Sequence, residues 1–162
     1  MNRRSFLIGC GAALFSATAQ AKVKNLRMTD YDRTILAMTV CGEALNQPLA
    51  GKKAVADVVF NRVVTKHPLY ADDANIAVAC LRRGQFTVWK HHKLRHKNYD
   101  NHDLLEMKNV VNSAYEEYIN GVDFSHGALL YATKHSHPKW ERNYRHTVTI
   151  GDHKFFKPLK RA

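Results

Sequence analysis

The sequence predicts a single α+β domain, mostly helical, with a small β-hairpin near its C-terminus. Three observations lead there. Apolar residues recur at three- and four-residue spacing through much of the stretch from Arg33 to Tyr118. Two short runs, Thr147-Val148-Thr149-Ile150 and His153-Lys154-Phe155-Phe156, flank Gly151-Asp152, a two-residue turn between candidate strands. The chain of 162 residues is 45% apolar with 8 Gly and 4 Pro, enough for one core and free of repeats or linkers. That composition excludes general disorder, collagen and coiled coil.

The elements follow in order. Residues 22–32 are polar and read as a loosely held arm leading to an N-cap at Asp32. Ile35, Leu36, Met38, Thr39, Val40 and Cys41 then form a short helix, apolar on most sides and therefore buried. Gly42 opens its end, and Glu43 to Pro48 carries the chain into a turn. From Gly51, Val55, Val58, Val59 and Val63 keep helical spacing; valine favours strands, but the period is three to four and not two. His67 to Asp73 is a loop, and Ile76 to Cys80 a short helix ending near Arg83-Gly84. From Gln85 to Asn101 the pattern is irregular, aromatic and basic, as in a surface insertion or groove wall. Asp103 to Glu106 fits a capping box for a helix whose face is Leu104, Met107, Val111, Ala114, Tyr115 and Tyr118. Ala128 to Ala132 reads as a short strand.

The first 21 residues read as an export signal. Arg3-Arg4 precede an apolar run from Phe6 to Phe15, and Ala19-Gln20-Ala21 supplies a small-x-small cleavage pattern. The opening also resembles a twin-arginine address. An uncleaved anchor, or lipidation at Cys10 within Leu7-Ile8-Gly9-Cys10, are the alternatives. Removing the leader's two arginines takes the formal charge from +11 to +9, carried by residues 22–162. A basic excess outside the cytoplasm points to an anionic wall polymer more than to nucleic acid. Two cysteines remain, Cys41 and Cys80. They are either a disulfide permitted by the compartment or two separate buried thiols.

Among five glutamates past the leader, Glu106, Glu116, Glu117 and Glu141 have plain roles as a cap or as solvated charge. Glu43 follows an apolar helix. A carboxyl among apolar neighbours loses hydration of its charged form and can keep a proton for donation; a structural carboxylate holding turn amides is the alternative. No second carboxylate stands three or four residues away, which leans toward chemistry by a single acid. Ten histidines, among them His91, His92, His96, His126, His135 and His137, suggest a metal, but no H-E-x-x-H or Cys/His zinc spacing exists. No metal or cofactor is expected. A Ser nucleophile elbow, a phosphate-binding loop and a dinucleotide fingerprint are also missing. Phe86, Trp89 and Trp140 among basic residues suit stacked bases or sugar faces, and core packing accounts equally well for Trp140 and Tyr131.

An ordered series of blocks carries a family resemblance. Glu43-Ala44, Gly51, Ala54-Val55-Ala56, Val58 and Asn61-Arg62-Val63 resemble the signature of the SleB-type cell wall hydrolases. The likeness continues through Gly84-Gln85-Phe86, Gly127-Ala128-Leu129 with Tyr131, and Trp140, and closes on Ile150-Gly151, His153 and Phe155. It implies a compact lysozyme-like domain cutting peptidoglycan glycan strands at the β-1,4 bond from N-acetylmuramic acid to N-acetylglucosamine. Glu43 would be the catalytic acid of a lytic transglycosylase that needs no cofactor; separately, the chain is expected to be a monomer. Asn61, Gln85 and Tyr131 become the substrate-binding candidates for orienting sugar or fixing the acid, and Phe86 and Trp140 those for packing or lining the cleft. Where family members carry Arg-Gly-Glu, this chain has Leu45-Asn46-Gln47, and an amide at 47 cannot titrate. An N-acetylmuramoyl-L-alanine amidase and a non-enzymatic module binding cell wall or nucleic acid are the rival readings.

Overall fold

The computed structural model of the protein describes Val23, residues 25–90 and residues 101–159. The leader, with its alternatives at Cys10, and most of the histidine-rich basic segment lie outside the described residues.

Helix α1 (Asp30–Ala44) starts three residues earlier than the sequence suggests. Thr29 is its N-cap: its hydroxyl accepts from the Asp32 amide at 3.1 Å, and the Asp32 carboxylate accepts from the Thr29 amide at 3.0 Å. Asp32 is therefore the N3 partner of a capping box and not the cap itself. Its other oxygen accepts from the Ala77 amide at 2.9 Å and so joins α1 to the next short helix. The preceding arm is anchored as well, because Leu26 is buried and its carbonyl accepts from the Tyr115 hydroxyl. At the other end the helix runs past Gly42, which places Glu43 in its last turn and not in a connecting loop.

Helix α2 (Leu49–Thr65) follows Pro48, whose fixed φ suits a helix start, and ends on Lys66 in a left-handed conformation. It is the axis of the fold. Every residue from Lys53 to Arg62 is buried, so its valines sit in a helix because packing on all sides outweighs their propensity. The neighbours are α1, α3 (Ile76–Leu81), α5 (Asn101–Ile119) and the sheet. A fourth helix, α4 (Thr87–Lys90), is one turn long and packs on α1. Helix α5 begins before Asp103, which lies in its first turn and is not its cap. Met107, Val110, Val111, Ala114 and Tyr118 form its buried face. Cys41 and Cys80 are both buried with no disulfide between them, so the reading as separate thiols holds. Burial pushes the Cys80 thiol up to about 12.

The sheet has three antiparallel strands in the order β1 (Leu130–Thr133), β3 (His153–Pro158), β2 (Tyr144–Ile150). The Gly151-Asp152 turn is as the sequence predicts, with Ile150 opposite His153. Gly151 has φ +56, and a Cβ there would meet Gln47 Oε1 and stand 2.8 Å from Pro48 Cδ, so the turn favours glycine. Alternation along β3 separates two faces. His153 and Phe155 contact Tyr131, while Phe156 contacts Trp140 and His146.

Polar residues of α2 fix the loop that enters β1. Asp57 accepts from the Phe124 amide at 2.7 Å, Asn61 donates to Asp123, Ser125 and the Ala128 carbonyl, and Arg62 donates to the Leu129 carbonyl at 2.8 Å. Asp57 Oδ1 has no partner among the described residues. Burial, then the nearby Asp123 charge, pushes the Asp57 carboxyl from 3.8 to about 8. The folded state thus holds this proton where the unfolded chain has lost it. Stability from this group is present at low pH and falls as pH rises from about 4 to about 8. Unfolding midpoints in guanidinium, measured across that range, should fall for the wild type and fall clearly less for Asp57→Asn.

Candidate active site

Glu43 lies half-buried in the last turn of α1. Its Oε1 accepts from the Val88 amide at 3.0 Å, and its Oε2 accepts from the Tyr131 hydroxyl at 3.0 Å. Both donors have their own supports. Val88 sits at the start of α4, which is tied to α1 where the Trp89 indole donates to Thr39 Oγ1 at 3.0 Å. Tyr131 stands on β1, reached through the loop that α2 secures. A backbone amide and a phenol can hold a carboxyl oriented in either protonation state without bringing in a cation. The other glutamates contrast with this. Glu106 pairs with Lys52 at 2.9 Å, Glu117 with Lys53 at 2.6 Å, and Glu141 with Lys154 at 2.8 Å. Among the described residues no salt bridge reaches Glu43.

Burial, followed by the adjacent Glu43 charge, drives the Tyr131 hydroxyl well above its ordinary range, so it remains a proton-bearing donor. Arg62 lies behind this group, 3% exposed, with its guanidinium 4.5 Å from the Tyr70 ring centre and 5.2 Å from Phe86. Burial lowers its pKa, but an arginine still carries its charge. Cation–π contact with two rings offsets part of the desolvation cost while Nη1 lacks a partner among the described residues.

The structure brings together some of the residues marked from sequence and separates others. Tyr131 touches Glu43. Phe86 is buried and contacts Tyr131 at 6.4 Å between ring centres, so it supports the site from beneath. Gln85 is exposed, two residues before α4 begins and three before Val88. Asn61 is 4% exposed; its Nδ2 has three acceptors and its Oδ1 takes the Tyr118 hydroxyl at 2.7 Å, so its amide is spent within the fold. Trp140 packs edge-on against Tyr144 and Phe156, on the face of the sheet away from Tyr131. His91, His92 and His96 lie outside the described residues. Among the described residues no three His, Cys, Asp or Glu side chains gather as a ligand set.

Two residues join the site that sequence reasoning did not mark for it. His153 is 5% exposed, and its ring lies 5.0 Å from that of Tyr131. Strand alternation after the two-residue turn already put 153 and 155 on one face, which was the available signal. Gln47 is the second. Its Oε1 accepts from the Asp152 amide at 2.8 Å and its Nε2 donates to Asp152 Oδ2 at 3.3 Å. An amide meets both demands; a glutamate would set two carboxylates against each other.

With this geometry in place, comparison with known proteins gives a consistent answer. The cell wall hydrolase family model matches residues 46–156, and the chain belongs to that family. The match begins three residues after Glu43. The chain is similar to the catalytic domain of the Bacillus cereus SleB protein, with 27% identity, a TM-score of 0.61, and 81% of this chain and 93% of that one covered. It is similar too to the catalytic domain of a germination-specific lytic transglycosylase, SleB from Bacillus anthracis, with 27% identity, a TM-score of 0.60, and 80% and 96% covered. No curated protein matches by sequence. The protein is an enzyme that degrades cell wall, in a mostly helical α+β fold of the SleB catalytic type.

Removing the Tyr131 hydroxyl tests its hold on Glu43. A hydrogen bond to a charged group contributes about 1.5–3 kcal/mol, so Tyr131→Phe should slow clearing of a cell-wall suspension by about 10- to 100-fold. The variant should keep the wild-type far-UV circular dichroism.

Proposed function

We propose that the protein cleaves the glycan strands of peptidoglycan at the β-1,4 bond from N-acetylmuramic acid to N-acetylglucosamine, as a lytic transglycosylase with Glu43 as its acid. One observation carries the reading: the Glu43 carboxyl is oriented by an amide and a phenol, with no cation paired to it among the described residues. A cation there would hold the carboxylate ionised and oppose proton donation. The likeness to a protein described as a lytic transglycosylase supports the choice of product.

In the first half of the reaction Glu43 gives its proton to the bridging oxygen as the bond from that oxygen to the muramoyl anomeric carbon breaks. The Glu43 carboxylate then takes the proton of the muramoyl 6-hydroxyl, whose oxygen bonds to the anomeric carbon. The products are a 1,6-anhydromuramoyl end and a free N-acetylglucosamine 4-hydroxyl, and Glu43 is protonated again. No water is consumed. One acid suffices, because it acts as its own conjugate base on the same sugar.

Residues 1–21 act as an export leader on this reading, and residues 22–162 form the catalytic domain acting outside the cytoplasm. Among the described residues no helix is long and apolar enough to cross a membrane. The basic excess then serves attraction to an anionic wall polymer.

Mass spectrometry of digested peptidoglycan tests the reaction. Anhydromuramoyl ends are expected from the wild type, and Glu43→Gln should lose at least about 10³-fold in rate while remaining folded. Reducing muramic acid ends would replace transglycosylation with hydrolysis. Free stem peptides would make the enzyme an amidase and overturn the assignment.

A further inference from the structure

Glu43 is held from two directions, and one buried side chain of α2 reaches both holds. The first arm is β1, which carries the Tyr131 hydroxyl; the second is the single turn of α4, which carries the Val88 amide. Arg62 Nε donates at 2.8 Å to the carbonyl of Leu129, two residues before Tyr131. The Leu129 amide donates in turn to the Phe156 carbonyl of β3, so this residue is held at both its amide and its carbonyl. The Arg62 guanidinium carbon also lies 5.2 Å from the centre of the Phe86 ring, two residues before Val88. The Phe86 carbonyl accepts from the Trp89 amide at 3.3 Å, within the turn that presents Val88. Phe86 and Tyr131 close the triangle at 6.4 Å between ring centres. We propose that Arg62 is a positioning residue that sets the spacing of the two donors on Glu43, holding the Tyr131 arm by its Nε hydrogen bond and the Val88 arm through the Phe86 ring. The inference rests on the reading of Glu43 as the acid.

The setting of this arginine shows why a simpler side chain would not serve. Arg62 is 3% exposed, and among the described residues its Nη1 has no partner and no carboxylate pairs with it; Asp73 is engaged by Arg82 at 3.1 Å. An ion taken out of water without a paired counter-charge destabilises a fold. A neutral donor would serve the Leu129 carbonyl without that penalty. Such a donor would not, at the same time, be drawn to the π faces of Phe86 and Tyr70, over which the guanidinium carbon stands at 5.2 and 4.5 Å. Lysine keeps the charge, but one ammonium on a flexible stem cannot donate to Leu129 and lie over Phe86 together. Tyr70 is buried and steadies the guanidinium from a loop that carries neither donor. Both donors act on one carboxyl, and a misplacement of about 1 Å at a reacting group can slow a reaction about 100-fold.

The test compares Arg62→Lys with the wild type by two readouts. On soluble glycan strands the folded variant should lose about 10- to 100-fold in kcat with KM within about twofold, because a buried side chain meets no sugar. In nitrogen-edited NMR spectra its Val88 amide proton should move upfield, as the hydrogen bond to Glu43 lengthens from 3.0 Å. An unchanged kcat or an unmoved Val88 amide in the folded variant would overturn the proposal. The decisive comparison is made in the Tyr131→Phe background, where the β1 arm has already lost its hold on Glu43. There Arg62→Lys should still move the Val88 amide and slow turnover further. No further change would reduce Arg62 to a support of the loop before β1 and overturn the assignment of both arms. Should Arg62→Lys not fold, Tyr70→Leu replaces it: freeing the guanidinium from that ring should move the same amide, and an unmoved amide overturns the proposal. The amide readout does not depend on which bond the enzyme cuts. Full activity of Glu43→Gln would instead count against Glu43 as the acid and leave the Arg62 result standing.

Discussion

The site depends on one constraint: the buried middle of helix α2, Lys53 to Arg62, carries polar side chains whose hydrogen bonds must be found inside the protein. An orphaned buried polar group costs about 1–3 kcal/mol, so these residues determine where the chain around them can go. Asp57, Asn61 and Arg62 reach the same loop, residues 123–129, through one carboxylate, one amide and one guanidinium. That loop delivers Tyr131 to Glu43. The helix is thus both the centre of the hydrophobic core and the ruler that sets the position of the phenol beside Glu43.

A second brace works from the opposite end. The chain leaves Glu43 and within four residues reaches Gln47, whose amide seizes the hairpin turn. Gly51, at the start of α2, leaves room for the same residue, since a Cβ there would crowd the Gln47 Cβ at 3.3 Å. Where the family resemblance leads to a glutamate at this place, an amide makes a neutral clamp. It leaves Asp152 free to pair with Lys134, and it fixes the strand that begins at His153. The departure noticed in the sequence is therefore compensated by the hairpin it touches.

Much of this could be read before any coordinates. Glu43 stood out because the other glutamates had evident explanations, and three of those four are found paired with lysines. The hairpin, the valine-rich helix and the apolar face of α5 followed from period and turn chemistry. What the sequence left open came mostly from partners distant along the chain. Asp32 looked like a cap because Asp is a common one, whereas it is the N3 partner of Thr29 three residues back, and its second oxygen serves the Ala77 amide 45 residues away. Asn61 looked available to a sugar, although its four hydrogen bonds come from α5, the 123–129 loop and nothing local. Trp140 had two readings, packing or cleft lining, and the pleat of β3, which turns its partner Phe156 to the face away from Tyr131, shows it packing.

By itself the sequence determined the period of each helix, the two-residue turn with its glycine, the basic balance and the presence of one carboxyl with no local role. These are properties of neighbours along the chain, where spacing and propensity act directly. Only the tertiary structure decided which donors hold that carboxyl, and that a histidine lies beside them in a desolvated setting. Hydrogen bonds that span 45 to 88 residues leave no periodic trace, and the protonation of a buried group is set by whatever surrounds it in space.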